Sequence, residues 1–300
     1  MALLALSKQD HTFAIADPTN LKVVARISVG DDPHDVVASK NGKTAKVSNN
    51  GHGAFHTLAE IDLLGQRPLP AIDLGALRGP HGPAFVQGKV WFTAGPARAF
   101  GSYDPSTGNA DWVMGIGQNK THMIDVLPGA RHIVTTNVDY ATVTVIERAG
   151  SPHEGHPPPT PQDNWQITMI PVGKVDEGFD VSPDGKEVWT ANAGDGTVSI
   201  IDIALKQVVA TLAVKVQGAN RLKFTPDGKQ VLITAGLNLV VLNAITYKPV
   251  KRLRIVRDSA ASRYNPTEGE SMWPAFLTTV WRSLTSGHWK SLDILEHFHK

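Results

Sequence analysis

The chain has 300 residues, 41% of them hydrophobic and 19% charged, with 29 Lys and Arg against 28 Asp and Glu for a net charge of +1. Interspersed charge of both signs excludes the basic footprint of a nucleic-acid binder, and no apolar run approaches the length that spans a membrane. Cysteine is absent, which excludes disulfides, thiolate metal sites and a cysteine nucleophile.

Met1 to Leu6 is apolar, but it is too short for a signal peptide and lacks a basic leader. Leu4-Ala5-Leu6, a polar turn at Ser7 to His11, and Thr12 to Asp17 read as the second half of a four-stranded unit. Val23 to Gly30 is its outer strand. His34 to Lys43 then opens a full unit, ending in the turn Lys40-Asn41-Gly42-Lys43 and followed by Val47-Ser48-Asn49. His81 to Lys89 repeats it in shortened form before Val90 to Gly95, and His122 to Arg131 repeats it before Thr135-Thr136-Asn137 and Ala141 to Glu147. Gly150 to Asp163, with His153, His156 and three consecutive prolines, is the longest insertion and reads as a surface loop held by proline.

Glu177 to Asp202 is the clearest unit. Phe179 and Val181 alternate with polar neighbours, as in a half-buried strand. Pro183-Asp184-Gly185-Lys186 is a turn in which proline presets φ and glycine accepts a positive φ. Val188 to Asn192 and Thr197 to Asp202 are β-rich runs separated by Gly194-Asp195-Gly196, and Gln207 to Val214 supplies a fourth strand. Asn220 to Lys229 begins the unit again. Four short antiparallel strands per unit, at a spacing of roughly 40–50 residues, predict an all-β β-propeller of four-stranded blades.

The Ser-Pro-Asp-Gly-Lys turn, the Trp-Thr-Ala-Asn strand and the run Gly-Thr-Val-Ser-Ile-Ile-Asp followed by Gln-Val-Val-Ala-Thr-Leu resemble the YVTN-repeat, YncE-like (lactonase-like) propellers over about Leu4 to Val256. The resemblance implies seven blades, and relatives are often exported. It says little about function, because propellers host many unrelated activities. We divide the chain into a propeller at residues 1–258 and an atypical tail at residues 259–300. After Val256 the strand alternation stops. The tail reads either as a C-terminal helix, from the spacing of Phe276 to Trp281 and Ser291 to His299, or as the product of a shifted reading frame, because another frame of Met272 to Thr285 can restore blade grammar. Without final strands, the N-terminal half-blade lacks its ordinary partner. Five fairly complete blades and an imperfect closure are expected, with a helical tail or a second subunit in a homo-oligomer over the open edge.

Aligning the blades by their turns places His34, His81, His122, Glu177 and Asn220 at one repeat position, where the chain enters its innermost strand beside the central channel. Three imidazoles and a carboxylate on consecutive blades suit a divalent metal ion such as Zn, Fe or Mn, which would make hydroxide available near neutral pH. His34, His81, His122 and Glu177 are therefore the expected catalytic and metal-binding residues. Histidine as a metal-free general base is the other use of the same ring. Asn220 and Arg221 are the expected substrate-binding residues. Asn49, Asn137 and Asn192 read as blade-capping groups, and Trp91 and Trp189 as packing residues. No serine-hydrolase elbow or phosphate loop is present. The expected function is metal-dependent hydrolysis of a small lactone or activated ester at the channel mouth; the alternative is a non-catalytic propeller that binds a small ligand or a protein.

Overall fold

The computed structural model describes residues 2–148 and 165–254. The 150–163 insertion and the 259–300 tail lie outside the described residues. The first sheet has three strands, β1 (Leu3–Ser7), β2 (Thr12–Ala16) and β3 (Val23–Ser28). The second comprises β4 (Pro33–Ala38), β5 (Thr44–Asn49), β6 (Thr57–Asp62) and β7 (Arg67–Asp73). The third runs β8 (Pro80–Val86), β9 (Lys89–Ala94), β10 (Ala99–Asp104) and β11 (Asn109–Gly115), and the fourth β12 (Thr121–Val126), β13 (His132–Asn137), β14 (Thr142–Arg148) and β15 (Trp165–Pro171). The fifth is β16 (Asp176–Val181), β17 (Glu187–Asn192), β18 (Thr197–Asp202) and β19 (Gln207–Leu212). The sixth is β20 (Ala219–Phe224), β21 (Gln230–Ala235), β22 (Asn238–Asn243) and β23 (Pro249–Arg254). Every pairing is between neighbours in sequence and antiparallel.

The turn that organised the sequence is built three times in the same way. Ser182 Oγ donates to Asp184 Oδ1 at 2.7 Å, and Gly185 at φ +73° returns its N–H to Ser182 O at 2.8 Å. Thr225, Asp227 and Gly228 repeat it, as do Ser39, Asn41 and Gly42. The side-chain oxygen thus replaces a backbone partner at each bend. Second and third strands are buried along nearly their whole length, whereas the outer strand β19 alternates exposed and half-buried residues. Blades therefore pack through their middle strands, and only their rims meet water. Trp189, fully buried, lies edge-on to Phe224 of the next blade with ring centroids 5.5 Å apart, so it is a wedge between blades. Trp91 packs against Trp112 within the third blade, with ring centroids 5.4 Å apart. Asn137 and Asn192 cap their strands as expected: Asn192 Nδ2 donates to Thr197 Oγ1 and Ser199 Oγ at 2.8 and 2.9 Å.

The innermost strands pack in the order β4, β8, β12, β16, β20. β1 packs on β4 as β5 packs on β8, so β1 occupies a second-strand position. The described residues form six blades, not the seven implied by the resemblance. Five are complete, and the first lacks its innermost strand among the described residues.

Candidate functional site

The repeat position predicted for the site does converge. His34 on β4, His81 on β8 and His122 on β12 form a continuous stack. The rings of His34 and His81 meet edge to face with centroids 4.7 Å apart, and those of His81 and His122 overlap at 3.9 Å with a tilt of 35°. A bulge in β4, β8, β12, β16 and β20 at this point breaks the pairing register, which lets the entrance residues turn into the channel mouth. Gly82, directly after His81, has φ +54°, and a Cβ there would fall 2.9 Å from Met123 Cα, so only glycine lets the neighbouring inner strands approach this closely.

Lys8 and Asp35, which the repeat does not single out, join Arg221 around the stack. Lys8, from the β1–β2 turn, donates to His34 Nε2 at 2.6 Å, while His34 Nδ1 lies 3.0 Å from Asp32 O. Asp35, 5% exposed, accepts from Gly82 N at 3.1 Å and from Arg221 Nη2 at 2.6 Å. Its Oδ2 also lies 2.9 Å from His81 Nδ1, off the axis of an aligned hydrogen bond. His81 Nδ1 and His122 Nδ1 are both buried without a hydrogen bond that meets ordinary geometry, and no described residue hydrogen-bonds His81 Nε2. Glu177 and Asn220 pair with each other, Asn220 Nδ2 donating to Glu177 Oε2 at 3.0 Å. Arg221 Nη1 donates to Asn220 O and Oδ1 at 3.0 and 2.9 Å, leaving its buried Nε without a partner. One network therefore runs Glu177, Asn220, Arg221, Asp35, His81.

Burial sets the protonation of the stack. It disfavours the imidazolium form of His34, which the neighbouring His81 and Lys8 charges push further, to a pKa of about 4. Burial and then His81 hold His122 well below the usual histidine range. Both rings are neutral at pH 7. Burial opposes ionisation of Asp35, but His81 and Arg221 outweigh it and keep the carboxyl well below the ordinary carboxylate range. Asp176, buried beside Glu177 with Oδ1 unpartnered, is pushed up to about 8 by burial.

The donors do not converge as a metal shell. The His81 and His122 rings present faces to each other, Glu177 is engaged by Asn220, and no group of three or more His, Asp or Glu among the described residues is placed to hold a metal ion. His122 Nδ1 is the one ring nitrogen of the stack that is buried, unpartnered and away from a carboxylate.

Further along the channel lies a second charged layer. Asp125 on β12, Asp180 on β16 and Lys223 on β20 occupy one register position, opposite Val134, Trp189 and Leu232 of their second strands. Lys223 Nζ lies 2.7 Å from Asp180 Oδ1, and Asp180 Oδ2 accepts from Phe224 N at 2.8 Å. Burial tends to lower the Lys223 pKa, but Asp180 and then Asp125 overcome it and raise it; burial raises that of Asp125. The repeat alignment that found the histidines could have found this layer.

Similar solved structures share the architecture. The crystal structure of a functionally unknown protein from Desulfotomaculum acetoxidans aligns with a TM-score of 0.67 at 13% identity, covering 84% of this chain and 79% of that one. Hydrazine synthase of Kuenenia stuttgartiensis aligns with a TM-score of 0.62 at 17% identity, covering 84% of this chain and 80% of that one. No protein-family model matches the chain, and no curated protein matches its sequence. At these identities the likeness establishes the propeller fold alone.

Proposed function

We propose that this is a YVTN-type propeller whose channel mouth hydrolyses a small ester or lactone, with His81 as general base. The observation that carries the reading is the stack of His34, His81 and His122 on consecutive blades, in which His81 Nδ1 faces the Asp35 carboxylate at 2.9 Å and Nε2 takes no hydrogen bond from a described residue. In the reaction, His81 Nε2 takes a proton from water as the water oxygen bonds to the carbonyl carbon. The acyl C–O bond then breaks, and the imidazolium returns the proton to the leaving alkoxide. Lys8 and Arg221 bring positive charge to the same mouth, where a developing oxyanion gains from it.

Metal-assisted hydrolysis with Zn, Fe or Mn is the second reading. It is favoured by His122, neutral and with a buried Nδ1 that lacks a partner, the state in which imidazole ligates metals. His34, His81 and Glu177 would have to leave their present partners to join it, and the metal would supply an acidified water. In either reading, Asn220 and Arg221 contact substrate only by exchanging bonds that they now make to Glu177 and Asp35. A homo-oligomer covering the edge beside β1 belongs to the same reading, and sedimentation of the purified protein tests it.

The test is turnover of p-nitrophenyl acetate and of a simple γ-lactone by purified protein and by His81→Ala, with metal content measured by elemental mass spectrometry. Turnover by the wild type that His81→Ala lowers at least about a hundredfold supports the hydrolase. About one metal ion per chain that disappears in the variant selects the metal reading. Absence of turnover with and without added Zn, Fe or Mn leaves the non-catalytic binding propeller.

A further inference from the structure

We propose that Asp35 is the positioning residue for His81, holding the imidazole in the tautomer that carries its proton on Nδ1 and its lone pair on Nε2. The proposal rests on the hydrolase reading of the mouth and assigns a role to a residue that the histidine ring does not include. Both Asp35 oxygens meet donors. Oδ1 accepts from Arg221 Nη2 at 2.6 Å, and Oδ2 accepts from Gly82 N at 3.1 Å while facing His81 Nδ1 at 2.9 Å. An ionised carboxylate only accepts, so the ring nitrogen that faces it must bear the hydrogen. That choice leaves the unpartnered Nε2 as the acceptor.

The construction goes beyond an ion pair. Arg221 is itself braced, its Nη1 donating to Asn220 O and Oδ1, so the carboxylate is held from the far side of the channel. Ser48 Oγ accepts from the Asp35 backbone N–H at 3.1 Å, which fixes the main chain behind the side chain. Gly82 turns its amide toward the same oxygen that faces His81, which needs the positive φ and the close approach to Met123. The other two rings are treated differently. His34 Nδ1 lies nearest a backbone carbonyl, and His122 Nδ1 has no partner. Only His81 is backed by a carboxylate that is locked by a guanidinium. The off-axis contact of the free protein is the looseness expected of such a pair before substrate closes the site.

The proposal is tested by long-range proton–nitrogen NMR of the histidine rings in ¹⁵N-labelled protein at neutral pH, with steady-state turnover of p-nitrophenyl acetate. The wild type is expected to show His81 protonated on Nδ1, and Asp35→Asn to show the Nε2-protonated form or a mixture. In Asp35→Asn, kcat is expected to fall about 10²–10⁴-fold with KM changed less than about twofold, the pattern of a misoriented base. Asp35→Glu, which keeps the carboxylate, is expected to retain the tautomer and about a tenth or more of wild-type kcat, the rescue that a packing role would not produce. A wild-type His81 protonated on Nε2 overturns the proposal without any variant having to fold. So does an Asp35→Asn protein with unchanged tautomer, or with kcat within about threefold of the wild type. The expected tautomer in a protein that hydrolyses no ester overturns the hydrolase reading and the catalytic use of Asp35 with it; the ring signal then shows that the geometry was right and the chemistry wrong.

Discussion

The two charged layers of the channel are built from the same strands and differ in how completely their polar atoms are matched. In the deeper layer, Lys223 sits against Asp180 with Asp125 acting on the same ammonium, and no atom of the three is a buried orphan. At the mouth, His81 Nδ1, His122 Nδ1 and Arg221 Nε are buried without hydrogen-bond partners. A buried polar group left unmatched costs about 1–3 kcal/mol, so a fold tolerates several in one place only where something else offsets them. The deeper layer holds blades together. The mouth carries unmatched polar atoms of the kind that a ligand can complete, and that contrast, more than the presence of histidine, supports the proposed site there.

The sharpest way to break the contrast is His81→Ala, expected to lower ester turnover by about 10²–10⁴-fold while circular dichroism still reports the β-sheet fold. Lys223→Met should do the reverse. It leaves Asp125 and Asp180 facing each other, and since Lys223 keeps 32% of its side-chain surface open the loss is less than for a dry pair, about 2 kcal/mol in urea denaturation. Turnover by the protein that remains folded should stay within about twofold of the wild type; a large fall in kcat there would move the deeper layer into the active site. Gly82→Ala tests the mouth through its backbone. A Cβ at φ +54° and 2.9 Å from Met123 Cα should cost about 1–2 kcal/mol and lower turnover with it, because the amide that holds Asp35 must shift.

Asp176 gives a pH-dependent effect with a clear sign. Its folded pKa, about 8, lies above the ordinary carboxyl value of 3.8, so the folded state keeps a proton that the unfolded chain releases. The stabilising contribution is complete below pH 3.8 and declines as pH rises towards 8, at no more than about 1.4 kcal/mol per pH unit. Asp176→Asn should remove this decline, so that its melting temperature exceeds that of the wild type at pH 8 and the difference closes in acid. A wild-type stability that rises between pH 5 and 8 by this group alone would contradict the assignment.

What was readable in the sequence was local or periodic. The Ser182 and Thr225 turns are written in four or five consecutive residues, and the blade repeat follows from them. His34, His81 and His122 were found because repeat alignment converts sequence spacing into a place on a ring. Repeat alignment gives the strand position of a side chain but not the partner its rotamer selects. Glu177 was expected among metal ligands and instead bonds Asn220. Asp35 and Arg221 are 186 residues apart, and nothing local connects them, although the Asp-Asp-Pro-His-Asp run at residues 31–35 does flank a site histidine with carboxylates. Lys8 was hidden for the same reason, arriving from a turn in the incomplete first blade. The resemblance implies seven blades where the described residues form six, but the five fairly complete blades expected from the sequence are the five four-stranded sheets.

The Arg221–Asp35 pair joins β20 to β4, and the sector between them is the one in which the first blade has no described innermost strand. The first and last complete blades are therefore tied through the carboxylate that faces His81, so one side chain serves both the ring and the imidazole.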